Sequence, residues 1–158
     1  MGRSITLLVA VLLVMSVAAC GGDSAEEIVE VSFDGSECTV AGATEVPPGD
    51  QAFLLTDVSD RDGVDLSARK LVDGHTFQDA LDLLKEAGGP GSRLPRGRPS
   101  WWAGVARDPH PPEIDLADNQ QLLAVSLEPG NHLLLVWVPD PPGSFGIWLC
   151  GPLDVVES

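Results

Sequence analysis

Residues 132 to 139 read His-Leu-Leu-Leu-Val-Trp-Val-Pro, and no other segment restricts the fold as much. Side chains alternate along an extended chain, so Leu133, Leu135 and Trp137 share one face while Leu134, Val136 and Val138 share the other. A strand with one wetted face alternates apolar with polar residues. Here both faces are apolar, which predicts a central strand covered on both sides.

The N-terminus has the composition of an export signal. Arg3 supplies a positive start, Ile5 to Val17 is a nearly unbroken apolar run, and small residues then lead into Cys20. The run is shorter than the roughly 20 apolar residues a permanent spanning helix needs. Val17-Ala18-Ala19-Cys20 resembles the bacterial lipobox. That resemblance implies cleavage before Cys20 and a diacylglycerol on its sulfur. The expected organisation is a signal peptide over residues 1–19, an acidic tether over 20–27, and one domain over 28–158, lipid-anchored at the cell membrane on its extracytoplasmic side.

The chain carries a net charge of −15, and losing Arg3 with the leader makes the remainder one unit more negative. Phosphate backbones and anionic lipid surfaces repel such a protein, so no nucleic acid partner is expected and membrane contact should come through Cys20. With Cys20 committed to the lipid, Cys38 and Cys150 remain as an even pair. In an oxidising compartment a disulfide is their default state, stapling the first and last strands.

The domain reads as short strands with one helix. Ile28 to Phe33, Cys38 to Val46, Gln51 to Val58, Gln121 to Leu127, His132 to Pro139 and about Ile147 to Val156 are strand-like, the last interrupted near Gly151-Pro152. Pro47-Pro48-Gly49-Asp50 and Glu128-Pro129-Gly130-Asn131 carry type II turn chemistry and predict two hairpins. Thr76-Phe77-Gln78-Asp79 has a hydroxyl cap followed three residues later by a carboxylate, and Gly88 stands where a helix C-cap is needed. Phe77, Ala80, Leu81, Leu84 and Ala87 fall on the face expected to pack on the sheet.

The run from Asp73-Gly74-His75-Thr76-Phe77-Gln78-Asp79 to Val136-Trp137-Val138-Pro139-Asp140-Pro141, preceded by a Pro-Gly turn, resembles the cupredoxin-like sandwiches of exported bacterial proteins. The resemblance implies an all-β, Greek-key β-sandwich with one short helix. It does not extend to the copper ligands. Val136 or Trp137 stands in the region of the family's cysteine, Gly143-Ser144-Phe145-Gly146-Ile147 lacks a histidine, and no methionine follows Met15. No cofactor is therefore expected. The alternative is a copper carrier built from His75, His110 and His132. Asp57, Asp60, Asp62 and Asp65 around Gly63 miss the register of a calcium loop, with Val58 and Arg69 at the first and twelfth positions, and read as a solvated turn.

No nucleophile elbow or spaced acid pair points to catalysis, and Gly143-Ser144-Phe145-Gly146 is not the G-x-S-x-G turn. The strongest local contrast is the Gly- and Pro-rich loop from Gly88 to Ala106. Arg93, Arg96 and Arg98 gather there without a nearby carboxylate and Trp101-Trp102 follow. Arginine and tryptophan together suit an anionic small molecule, a glycan or an anchor for an envelope protein. In the plainer alternative the arginines offset the acidic surface and one tryptophan packs inward. The sequence thus predicts a non-enzymatic, membrane-anchored binding module.

Overall fold

The computed structural model describes residues 28–42, 44–140 and 144–157. Ten strands and one helix follow in the order β1 (Ile28–Phe33), β2 (Cys38–Val40), β3 (Glu45–Val46), β4 (Gly49–Asp57), β5 (Asp65–Leu71), α1 (Phe77–Glu86), β6 (Trp102–Gly104), β7 (Ala106–Arg107), β8 (Gln120–Leu127), β9 (Gly130–Asp140) and β10 (Ser144–Val155). They form two five-stranded sheets, β2-β1-β4-β8-β7 and β3-β10-β9-β5-β6. Both are mixed, since β1 runs parallel to β4 and β3 parallel to β10. This is the all-β sandwich with one short helix that the sequence leads one to expect.

The doubly apolar strand is β9, at the centre of the second sheet. Its inner residues Leu134, Val136 and Val138 join Phe33, Phe53, Leu55 and Val125 in the core between the sheets. Its outer residues Leu133 and Leu135 join Ile147, Leu71, Trp102, Ala80, Leu84 and Leu94 in a second core. The cover over that outer face is α1 together with the loop that follows it. Two cores on opposite faces of one sheet account for the missing alternation in β9.

Helix α1 begins where its cap predicts. Thr76 is the N-cap, its hydroxyl accepting from the Asp79 N–H while the Asp79 carboxylate accepts from the Thr76 N–H at 2.6 Å. The helix ends in a Schellman arrangement. Gly89 N–H donates to the Leu84 carbonyl at 2.9 Å and Gly88 N–H to Lys85 at 3.1 Å. One detail of the helix differs from expectation. Ala80 and Leu84 are buried and Leu83 packs against the same cluster, whereas Leu81 is exposed. The helix is rotated so that Leu83 takes the place expected of Leu81.

The two Pro-Gly turns are not hairpins. Pro47 to Gly49 carries the chain from β3 in the second sheet to β4 in the first, and Pro129-Gly130 carries it back from β8 to β9. Likewise, Cys38 to Val46 is two strands in different sheets, separated near Gly42, whose φ is +94°. A turn sequence fixes the local bend but leaves open whether the flanking strands pair with each other or with other neighbours.

Cys38 and Cys150 are bonded. The link joins β2 to β10, hence the second strand and not the first to the last, and it ties one sheet to the other. Cys150 is the residue where the β9–β10 register slips between Leu149 and Gly151, the interruption expected near Gly151-Pro152. Cys150 faces the inner core by plain alternation with Trp148, and the added residue reverses the parity beyond it, so that Leu153 and Val155 face inward as well.

Candidate functional site

The Gly88 to Trp101 segment is held at several points. Gly91 N–H donates to the Ile147 carbonyl at 2.7 Å and Ile147 N–H to the Ser92 carbonyl at 3.3 Å, so the loop adds a rung to the edge of β10. Gly91 has a φ of +80°, and a Cβ there would lie 2.6 Å from the Trp148 ring. Only glycine lets the backbone cross the indole this closely. Leu94 is buried under the loop, and Trp102 N–H donates to the Pro99 carbonyl at 3.1 Å. Arg93, Arg96 and Arg98 lie between these anchors, all exposed.

The two tryptophans separate. Trp102 begins β6, opposite Leu71 of β5, and is 1% exposed in the outer core. Trp101 is half-buried and stacks on His75, with centroids 4.2 Å apart and planes at 16°. It walls a cleft of about 530 Å3 beside the end of α1, where Arg96, Arg98 and Glu86 also line the opening. The structure therefore keeps Trp101 with the arginines and assigns Trp102 to packing.

On the other side of Arg98 lies a second depression of about 380 Å3, lined by Arg69, Arg98, Asp65, Trp137 and Phe145. A smaller one of about 140 Å3 between them brings Arg93 and Arg98 to the same Trp137 and Phe145. Arg98 is common to all three. Arg69, Trp137 and Phe145 were not legible as site residues, because the face they share is made by pairing β5 with β9 and β9 with β10. In that register Asp65 stands opposite Trp137, and Ile147 stands opposite Trp137 on the other side. The only sequence signal was the placement of Trp137 on the outer face of β9.

Eight cations follow Arg3 in the sequence, and Arg69, Arg93, Arg96 and Arg98 are half of them. Among the described residues none of these four is within ion-pair distance of a carboxylate; the pairs formed are Lys70 with Glu128 at 2.7 Å and His75 with Asp79 at 3.7 Å. Arg69 is half-buried, its Nε has no partner, and one terminal nitrogen donates to the Ala68 carbonyl at 2.9 Å. Burial and then the like charge of Arg98 push its pKa down, with Asp65 acting in the opposite sense. The chemistry this face offers is that of an anion receptor with aromatic walls.

The three histidines occupy different surroundings. His75 lies against Trp101, and His110 is exposed, its backbone N–H donating to the Asp108 carboxylate at 2.7 Å. His132 is 1% exposed, with Nδ1 3.0 Å from the Gly130 carbonyl and Nε2 unpartnered. Burial pushes its pKa down. Among the described residues, no three His, Cys, Asp or Glu side chains are placed to share a metal ion. In the acidic turn, Asp57 accepts from the Ser59 N–H and hydroxyl at 2.9 and 2.6 Å, and Asp65 accepts from Gln121 at 2.8 Å. Cys20, the leader and the tether lie outside the described residues. Among those that are described, no helix is long and apolar enough to cross a membrane.

No family model, curated protein or solved structure matches this chain. The case for function rests on the side chains of the face itself.

Proposed function

We propose that this protein is a non-enzymatic binding module, held at the extracytoplasmic side of the cell membrane by a lipid on Cys20, whose Arg-rich face takes an anionic ligand. The observation that carries the reading is the gathering of Arg69, Arg93, Arg96 and Arg98, none with a carboxylate partner among the described residues, around adjoining clefts in a chain of net charge −15. Carboxylates are abundant enough to pair every one of them. Four guanidinium groups that meet no carboxylate among the described residues, clustered around clefts walled by Trp101, Trp137 and Phe145, concentrate hydrogen-bonding capacity beside aromatic surface. The anchor reading rests on the apolar run ending in Val17-Ala18-Ala19-Cys20.

Two experiments test the two halves. Cys20→Ala should release the protein from the membrane fraction; unchanged membrane association would remove the lipoprotein reading. At low ionic strength the full chain, purified in non-ionic detergent, should be retained on immobilised heparin despite its net charge. Retention should fall with salt and be lost when Arg93, Arg96 and Arg98 are replaced by Gln. Failure of the wild-type chain to bind, or equal retention of the triple variant, would count against the anionic-ligand reading.

A further inference from the structure

We propose that Arg69, Arg98, Trp137 and Phe145 form a subsite for one carboxylate-bearing sugar ring, a uronate unit within an anionic glycan chain. The proposal rests on the reading of the arginine face as a binding face and assigns its chemistry. It differs in place from the Trp101 cleft, which lies across Arg98.

Four observations converge on this subsite. The first is electrostatic: Arg69 and Arg98 line the same depression, where the charge of Arg98 disfavours that of Arg69 and Asp65 acts in the opposite sense. Two guanidinium groups so placed attract an anion between them and relax when it binds. The second is an unspent donor. Among the described residues Arg69 Nε has no partner and is shielded from solvent, which costs free energy until the guanidinium turns to present it to an acceptor. A planar carboxylate matches a guanidinium fork better than a spherical ion does.

The third observation is the aromatic corner. Trp137 and Phe145 meet edge to face, with centroids 6.4 Å apart and planes at 87°. Phe145 is 49% exposed and shares its depressions with Arg93, Arg98 and Arg69, so its ring is open to a ligand that the arginines hold. The apolar face of a pyranose stacks on such a ring while the exocyclic carboxylate reaches the arginines. The fourth is size and continuity. A depression of about 380 Å3 lies within the range of small-ligand sites, and the smaller depression toward Arg93 leaves a path for a chain to continue. A bare inorganic anion would use the arginines and leave the aromatic corner idle.

The test is titration of the full chain in non-ionic detergent with tetragalacturonate, its fully methyl-esterified neutral form, and inorganic phosphate, followed by calorimetry. Saturable binding of tetragalacturonate is expected, at least tenfold tighter than of the ester or of phosphate. Arg69→Gln should weaken it about tenfold and Phe145→Ala several-fold, while Lys85→Gln and Arg107→Gln, which remove exposed cations away from these depressions, stay within about twofold. Phe145→Ala changes an exposed side chain, so it serves if Arg69→Gln does not fold. Equal binding of the ester, or phosphate binding as tightly with Phe145→Ala silent, would overturn the proposal. So would the absence of any binding of tetragalacturonate. If heparin retention persists through Arg93, Arg96 and Arg98 while tetragalacturonate fails to bind, the face remains a binding face and the uronate subsite falls.

Discussion

Cys38 and Cys150 are 112 residues apart in sequence and 4.4 Å apart at Cα, and they join the outermost strand of one sheet to the strand beside β9 in the other. Closing a loop of that length stabilises by about 4 to 5 kcal/mol in the chain-entropy account. Reducing the bond, or replacing both cysteines by Ser, should lower the unfolding free energy by roughly that amount. Identical denaturant midpoints before and after reduction would show that the link contributes nothing.

Neighbouring tryptophans should behave oppositely. Trp102→Ala removes a side chain that is 1% exposed and should cost about 3 to 5 kcal/mol. Trp101→Ala, at the wall of the cleft, should cost far less. Chemical denaturation of the two variants separates them, and comparable losses would mean that Trp101 also belongs to the core.

His132 makes stability depend on pH. Its folded pKa is pushed down, chiefly by burial, so as pH falls below about 6.5 the unfolded chain takes up the proton first. Its contribution is full above that value and is lost as pH drops through the lowered folded pKa. In His132→Asn, whose amide keeps a donor for the Gly130 carbonyl, the loss of stability between pH 7.5 and 5 should be smaller than in the wild type. Parallel pH profiles for the two proteins would refute this.

The cap of α1 offers a fourth test. Thr76→Ala removes both the hydroxyl that receives the Asp79 N–H and a partner of the Asp79 carboxylate, and should cost about 1 kcal/mol. Thr76 bonds hold the Asp79 pKa below its ordinary value. That stabilisation is present above the unfolded carboxylate pKa near 3.9 and disappears as pH falls through the lowered one. The difference between wild type and Thr76→Ala, measured by urea unfolding, should therefore shrink in strong acid. A constant difference across that range would show that the carboxylate plays no part.

Local grammar proved readable where chemistry acts within a few residues. The capping box at Thr76, the glycine stop at Gly88, and the two apolar faces of β9 all stand as the sequence implies. What could not be read depends on partners distant in the chain. Pro129-Gly130 looks the same whether β8 pairs with β9 or leaves it for the other sheet, and here it leaves. Strand β5 was hidden because Ser67, Arg69 and Lys70 dilute its apolar pattern, while its inner residues Leu66 and Ala68 are buried all the same. The binding face was half legible. The loop arginines and Trp101 are contiguous, whereas Arg69, Trp137 and Phe145 meet them only through strand pairing.

Leu71 and Trp102 are paired neighbours on β5 and β6, so the whole excursion from Val72 to Trp101 leaves and returns to the sandwich at adjacent rungs. Such a segment is topologically a graft: its sequence is free to change without rerouting any other strand. Yet Leu133, Leu135 and Ile147 lie beneath it. Variants that shorten the graft would lay bare a greasy patch prone to self-association, so descendants and engineers alike are confined to exchanging one roof for another.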